Sequence, residues 1–566
     1  MNMEVDWLVA GSGAGGMTAA VVAHELGGSV LVVEKEPMYG GTTSKSGGVV
    51  WIPANDGLAA LGISDSTEEA YDYLKGLIGD TVGDARIRAY AERAREMLQF
   101  MTQHSHIEYT PLPTYMDYYE HVPGYKDGGR SMDPSAFNLK RLQEEAKHIR
   151  DDHYGLMPFN ITVVEGRQLG EMNFKSYLLG IKLLLRFWLD IPSRLQGKSD
   201  QRVTLGPAVV ARLRRSLMDR DIPLWLDSPM RELIVEDGRV VGALIEREGE
   251  LVKIRARRGV LLATGGFARN VEMRRQYHQG PVSADWSGAA PGATGDGIRM
   301  GKSIGAALDF MGSAWWSPTY RLPDNRTLAL IAGKGYPRSI MVNKQGRRFT
   351  NEAQPYEDVV KDQYASERRG EGAVPCYLVF DAVFRSKYPV GHIRPGKLEK
   401  DAMLASSVFE SGLLTRADTL AELAQKLAID ATQLEQTVER FNDYARKGED
   451  PDFGRGESEH DRYYADKNAT PNPSLGPLEQ GPFYALRCEA GDLDTKGGLQ
   501  CNEYGQVLDE SGTVIQGLFA AGNTSAAAMG DTYPGAGATI GSAMTFAYLA
   551  ARFAFPQDLK KQGEQV

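Results

Sequence analysis

The stretch VDWLVAGSGAGGMTAAVVAHELGGSVLVVEK, residues 5–35, decides how the rest of the chain is read. VDWLVAG is a short apolar run that predicts a strand, MTAAVVAHELG has the spacing of a compact amphipathic helix, and SVLVVEK predicts a second strand. Between the first two, Gly11, Gly13 and Gly16 fall in GxGxxG spacing, with Ser12, Ala14 and Gly15 completing the turn. Glycines there permit a tight turn and close backbone approach to a diphosphate, whose charge the dipole and N–H groups of the following helix attract. Glu34 ends the second strand eighteen residues after Gly16, where a carboxylate can accept hydrogen bonds from a ribose, and Lys35 adjoins it. A lone GxGxxG is a weak signal. Strand, turn, helix, strand and acid in this order predict a dinucleotide-binding βαβ unit.

The chain has 566 residues, more than one hydrophobic core usually organises, so two domains are expected. Its 64 Lys+Arg against 74 Asp+Glu, net −10, give no electrostatic reason to expect nucleic acid. Cys376, Cys488 and Cys501 lie far apart in sequence without a CxxC pair, which predicts free thiols and a reducing compartment. The N-terminus shows no basic region or cleavable apolar stretch, so a cytoplasmic protein is expected. His104 and His106 form an HSH pair with no third ligand at metal spacing; both read as surface or loop residues, and no metal site is expected.

After Glu34 comes PMYGGTTSKSGGVVW, in which Gly41, Thr42, Thr43, Ser44, Gly47 and Gly48 offer backbone and hydroxyls to a diphosphate and an isoalloxazine. Two further segments end in small residues: RGVLLATGGFARN, with Ala263, Thr264 and Gly265, and GLFAAGNTS, with Gly522 and Asn523. Together these pieces resemble the FAD-dependent fumarate reductase and succinate dehydrogenase superfamily over nearly the whole chain. The resemblance implies FAD and an α/β fold: a Rossmann-like FAD-binding domain carrying an inserted α+β catalytic cap. The expected boundaries are 1–313 for the first part of the FAD domain, 314–494 for the cap and 495–566 for the second part, with Ala538 and Ile540 also on the cofactor. Covalent members carry a histidine just before the Thr of the early loop, where this chain has Gly41, so non-covalent flavin is expected. One nucleotide fingerprint and no CxxxxC pair argue against a pyridine nucleotide-disulfide reductase.

Members that reduce fumarate carry an arginine five residues after the Asn of RxxNE, because a dicarboxylate needs bidentate clamping. That place is Tyr356 here, and GDTYPGAGATIG, 530–541, contains no arginine, so a neutral carbonyl compound fits better than a diacid. The segments TYMDYYEH, 114–121, NEAQPYED, 351–358, and GDTYPGAGATIG together resemble the 3-ketosteroid Δ1-dehydrogenases. That resemblance implies Tyr118, Tyr356, Tyr533 and the Gly537 amide as catalytic groups and Tyr115, Val49 and Leu493 on the substrate. Chemically, Tyr533 and the Gly537 N–H would donate to the 3-keto oxygen as an oxyanion hole does. Tyr356 would take the carbon 2 proton with Tyr118 supporting it, and flavin would accept the carbon 1 hydride. Turnover also requires an electron acceptor, whose class no motif encodes.

FKSYLLGIKLLLRFWLDI, 174–191, sets Lys175, Lys182 and Arg186 on one helical face with Asp190 beside them, in an otherwise apolar run. It reads as an interfacial anchor within an insertion around 165–200, placing the protein peripherally on the membrane, with a buried helix or subunit contact as the alternative. Such an anchor would suit long-chain ketones such as cholest-4-en-3-one. Two competing functions remain: a sister flavoprotein, either a 3-oxo-5α-steroid 4-dehydrogenase or an enzyme acting on another enone, and a non-catalytic flavin-binding membrane protein.

Overall fold

The computed structural model describes residues 2–150, 157–170 and 173–556. Strand Asn2–Ala10 lies between two parallel neighbours, Val30–Val33 and the long strand Glu250–Leu262. The sheet extends from these to Leu224–Trp225 on one side and Val514–Ala520 on the other, both parallel, while Arg239–Arg247 adds an antiparallel strand to Glu250–Leu262. A parallel sheet is apolar on both faces because helices must cover both, and Val30–Val33 is buried throughout.

Helix Ala14–Glu25 departs from the amphipathic pattern: every residue from Ala14 to Ala23 is buried. It lies between the sheet and two other helices, Leu205–Met218 and Ala538–Ala554, which leaves no solvent face to make polar. Its small residues permit that close packing. A Cβ on Gly16 would lie 2.0 Å from the Gly11 carbonyl oxygen, so only glycine lets the helix start against the strand end. Gly16→Ala is expected to destabilise this crossover by about 1–3 kcal/mol or more. Thermal unfolding should show a lowered midpoint, and an unchanged midpoint would refute the packing argument.

A second sheet is antiparallel and centres on Phe483–Thr495. The carboxyl half of that strand pairs with Ala314–Arg321, and the amino half pairs with Cys376–Phe380 and Leu414–Ala417. Helix Tyr356–Arg368 packs on Ala314–Arg321. The three cysteines are free, yet Cys376 and Cys488, distant in sequence, stand directly opposite each other on neighbouring strands.

The apolar run at 174–191 forms helix Phe174–Leu189, which Asp190 ends before a short second helix, Ile191–Leu195. Asp190 stands at the end of the helix, lines one surface pocket with Lys182 and Arg186, and pairs with Lys140 at 2.7 Å. No helix among the described residues is long and apolar enough to cross a membrane.

Candidate active site

The pairing register brings the carboxyl ends of the parallel strands to one edge. Ala10 lies beside Val33 and Leu262, Leu262 beside Ala520, and Val33 beside Trp225. Ligands of open α/β sheets bind in the crevice beyond such strand ends. Here Gly11, Glu34, Ala263 and Ala521, the residues that follow these strands, line one continuous cavity.

At the nucleotide end the cavity wall includes Ser12, Gly13, Ala14, Gly15, Lys35, Gly41, Thr42, Thr43, Gly47 and Gly48. Thr264, Gly265, Gly522, Asn523 and Ile540 complete that wall. Three expected cofactor residues stand behind it instead. Gly16 packs the helix on the strand, the Ser44 hydroxyl donates to the Arg150 carbonyl, and Ala538 is buried in the first turn of its helix. The Ala14 N–H donates to Thr43 Oγ1 at 3.0 Å, so this helix-start amide is already engaged by the early loop. Glu34 is buried, and its carboxylate accepts from the Ser12 amide at 3.1 Å and hydroxyl at 2.6 Å, so it fixes the turn it faces. Lys35 turns its ammonium to Thr294 and Asp296, each at 2.5 Å. A Cβ added to Gly41 or Gly47 would meet no atom of another described residue within 4 Å, although both line the cavity. Backbone thus faces open space suited to a flat ring and a diphosphate, so the residues present fit FAD.

At the other end three phenols converge. The ring centroids of Tyr118 and Tyr356 each lie 5.5 Å from that of Tyr533, and 6.1 Å separates the first two. All three rings are buried and line the cavity with Val49, Leu493, Gly537 and Tyr115. Each comes from a different segment, and each segment is fixed. Tyr118 donates its backbone N–H to Pro534 O at 3.0 Å. Its neighbour Asp117 accepts from Trp51 Nε1 and Arg130 Nη1, both at 2.7 Å. Tyr356 begins the helix Tyr356–Arg368. The turn before it is held by Lys334, whose buried ammonium donates to Glu352 O at 2.9 Å and Gln354 O at 2.6 Å; burial pushes Lys334 down to about 7. Against the upward push of burial, Arg348 and Arg455 hold the Glu352 carboxyl down to about 2.

Gly537 has φ +96°, and a Cβ there would lie 2.5 Å from the Val50 carbonyl carbon, so glycine is required where the last loop crosses the early one. Burial raises the Tyr533 phenol above its ordinary value, against the opposing pull of Tyr356, Thr539 and the Gly537 amide, and all four residues line the cavity. Burial raises Tyr118 and Tyr356 well above the ordinary phenol value; the neighbouring phenols add to it at Tyr118, and at Tyr356 Tyr533 and Tyr115 add to it while Tyr118 opposes it. The Tyr118 hydroxyl is buried without a hydrogen bond to a described residue, so its donor is free for a molecule bound in the cavity.

Four residues at or near this end escaped the sequence reading. The Tyr464 hydroxyl is hydrogen-bonded to that of Tyr115, and Thr539 lines the cavity two residues beyond Gly537. Trp315 meets Tyr533 edge to face at 5.1 Å and donates to Asn523 Oδ1 at 3.0 Å. Asp494, with φ +147°, accepts from Gly266 N at 3.1 Å and Asn523 Nδ2 at 3.0 Å, and burial pushes its carboxyl up to about 6. A non-glycine residue in that conformation stores strain at a functional site. Thr539 stood inside the quoted loop as a hydroxyl near the expected oxyanion donors; the other three carry no motif. Arg150 also lines the cavity, but its guanidinium is 3.4 Å from Glu36 Oε2.

Parallel strand ends facing a cradle for a flat dinucleotide, with phenols across from it, define a flavoprotein oxidoreductase. A family model described as FAD binding domain matches residues 6–540. The chain is 42% identical to the 3-oxosteroid 1-dehydrogenase of Mycolicibacterium smegmatis, covering 97% of each chain. It is 35% identical to the 4-oxocyclohexanecarboxylate 2-dehydrogenase of Sinomonas cyclohexanicum, covering 97% of this chain and 92% of that one. The 3-ketosteroid Δ1-dehydrogenase of Sterolibacterium denitrificans, solved in complex with 1,4-androstadiene-3,17-dione, superposes with a TM-score of 0.94 at 42% identity, covering 98% of this chain and 99% of the other. The chain belongs to the FAD-binding domain family and, within it, to the group of FAD-dependent 3-oxosteroid 1-dehydrogenases.

Proposed function

We propose that the protein introduces the 1,2 double bond into 3-ketosteroids. The observation that carries this reading is the meeting of Tyr118, Tyr356 and Tyr533 in one buried wall beside the Gly537 amide. Tyr533 and Gly537 N–H hold the 3-keto oxygen and stabilise the charge that develops there when carbon 2 loses its proton. Tyr356 takes that proton, and Tyr118 supports it from the other side. When bound, FAD supplies the acceptor for the hydride leaving carbon 1. Gly41 in place of a histidine supports non-covalent flavin, reoxidised by an external electron acceptor. Among the described residues the cations lining the cavity are Lys35, Lys45 and Arg150; Lys35 pairs with Asp296 and Arg150 with Glu36. Phenols held neutral by burial beside a backbone amide suit an uncharged ketone better than a carboxylate. The test is product analysis after turnover of androst-4-ene-3,17-dione, cholest-4-en-3-one, a 5α-reduced 3-ketosteroid and 4-oxocyclohexanecarboxylate. A 1,4-dien-3-one from the first two supports the reading. A new 4,5 double bond in the 5α compound alone, or turnover of the carboxylate alone, refutes it.

A second reading concerns helix Phe174–Leu189, which contacts a membrane surface. Phe174, Leu185, Trp188 and Leu189 are 76%, 54%, 60% and 71% exposed, while Leu183 and Phe187 face inward onto Phe159. An apolar face of this extent marks an interaction surface, and Lys175 and Lys182 suit anionic headgroups. The protein should cosediment with phosphatidylglycerol vesicles, and Leu185→Ser with Trp188→Ser should weaken binding about tenfold or more. A dimer that ignores vesicles would assign the face to a second subunit.

A further inference from the structure

Tyr356 and Tyr533 reach the cavity from different elements, a helix start and a loop, so something must set their separation. We propose that Lys496 is the positioning residue that does so. Its side chain is fully buried, and its ammonium donates to Glu357 Oε1 at 2.7 Å and to Thr532 O at 2.8 Å. Glu357 directly follows Tyr356, and Thr532 directly precedes Tyr533. The same ammonium lies 4.7 Å from the ring centroid of Trp315, the ring that meets Tyr533 edge to face. One cation thus touches three groups, each one step from a phenol.

Lys361 makes a parallel strut, 3.0 Å from Glu357 Oε1 and donating to Asp531 O at 2.7 Å. It is 34% exposed, so water screens it, whereas the Lys496–Glu357 pair is dry. A buried ion pair is a poor source of stability, because desolvation offsets much of its attraction. What this pair does supply is geometry: an ammonium with two fixed acceptors locks the helix start at Tyr356 to the loop at Tyr533.

The inference rests on the proposed roles of Tyr356 and Tyr533, and its test separates the two claims. The double variant Lys496→Met with Glu357→Gln removes both charges together, so neither is left buried and unpaired. Lys496→Arg keeps the charge and the donors. The double variant should retain bound flavin with a native visible spectrum. Its kcat on androst-4-ene-3,17-dione should fall about tenfold or more with KM changed less than about threefold, because misplacement costs the transition state more than binding. Lys496→Arg should recover a large share of kcat. In crystals of the double variant, the Tyr356 and Tyr533 centroids, 5.5 Å apart in the wild type, should separate. Unchanged kcat with unchanged separation overturns the proposal. So does loss of flavin and cooperative unfolding in both variants, which would make the pair a stability element. A wild type that forms no 1,4-dien-3-one refutes the functional reading alone, and the crystallographic separation still decides the role of Lys496.

Discussion

Tyr533→Phe should leave a yellow, folded protein that turns over steroid about a hundredfold to a thousandfold more slowly, the usual cost of removing one oxyanion-hole donor. The ring remains, so its contacts with Tyr118, Tyr356 and Trp315, with centroids 5.1 to 5.5 Å apart, are preserved. Only the hydroxyl is lost, from the wall that Tyr533 shares with Gly537. The substituted enzyme still presents the amide, which is why residual activity is expected. Steady-state kinetics with flavin quantified by absorbance checks this. Loss of flavin with the hydroxyl would mean that Tyr533 builds the cavity instead of acting in it.

Tyr356→Phe should lower kcat by about 10²–10⁴, the range for a general base, and should also change the pH dependence. Burial lifts the Tyr356 phenol well above its ordinary value. At neutral pH the phenolate is therefore a small fraction, growing about tenfold per pH unit. Wild-type kcat should climb as pH rises from 7 towards 10, and Tyr356→Phe should flatten that climb. Stability runs the other way. A phenol whose folded pKa exceeds its unfolded value favours the fold below the unfolded value, and this contribution is lost as pH rises past it. Tyr118, Tyr356 and Tyr533 all have raised pKa values, so the rising rate should end where alkaline unfolding begins. A flat wild-type pH profile between 7 and 9 would argue against a phenolic base.

The nucleotide half of the cavity was readable because glycine spacing has a steric meaning: Gly11 and Gly16 are glycines since backbone lies 2.2 and 2.0 Å from where their Cβ atoms would be. The meeting of the tyrosines was readable because three separate short segments match one family's pattern; TYMDYYEH alone holds three tyrosines, and only the resemblance singled out Tyr118. Trp315, Asp494, Lys496 and Tyr464 were not, since what makes them important is the packing of one sheet against the other, which no local pattern records. Lys496 stands in the run TKGG, 495–498, as an ordinary lysine, and only its burial beside Glu357 shows its use. Helix Ala14–Glu25 misled in the opposite sense: its local pattern suggests one polar face, but neighbours from 205–218 and 538–554 cover it.

The most direct test mixes the oxidised holoenzyme anaerobically with androst-4-ene-3,17-dione and follows the flavin absorbance in the wild type and in Tyr356→Phe. The wild type should bleach with one 1,4-diene formed per flavin, and bleaching should be slowed about a hundredfold or more in the variant. Equal bleaching in both proteins, or none in the wild type, would contradict the proposed mechanism.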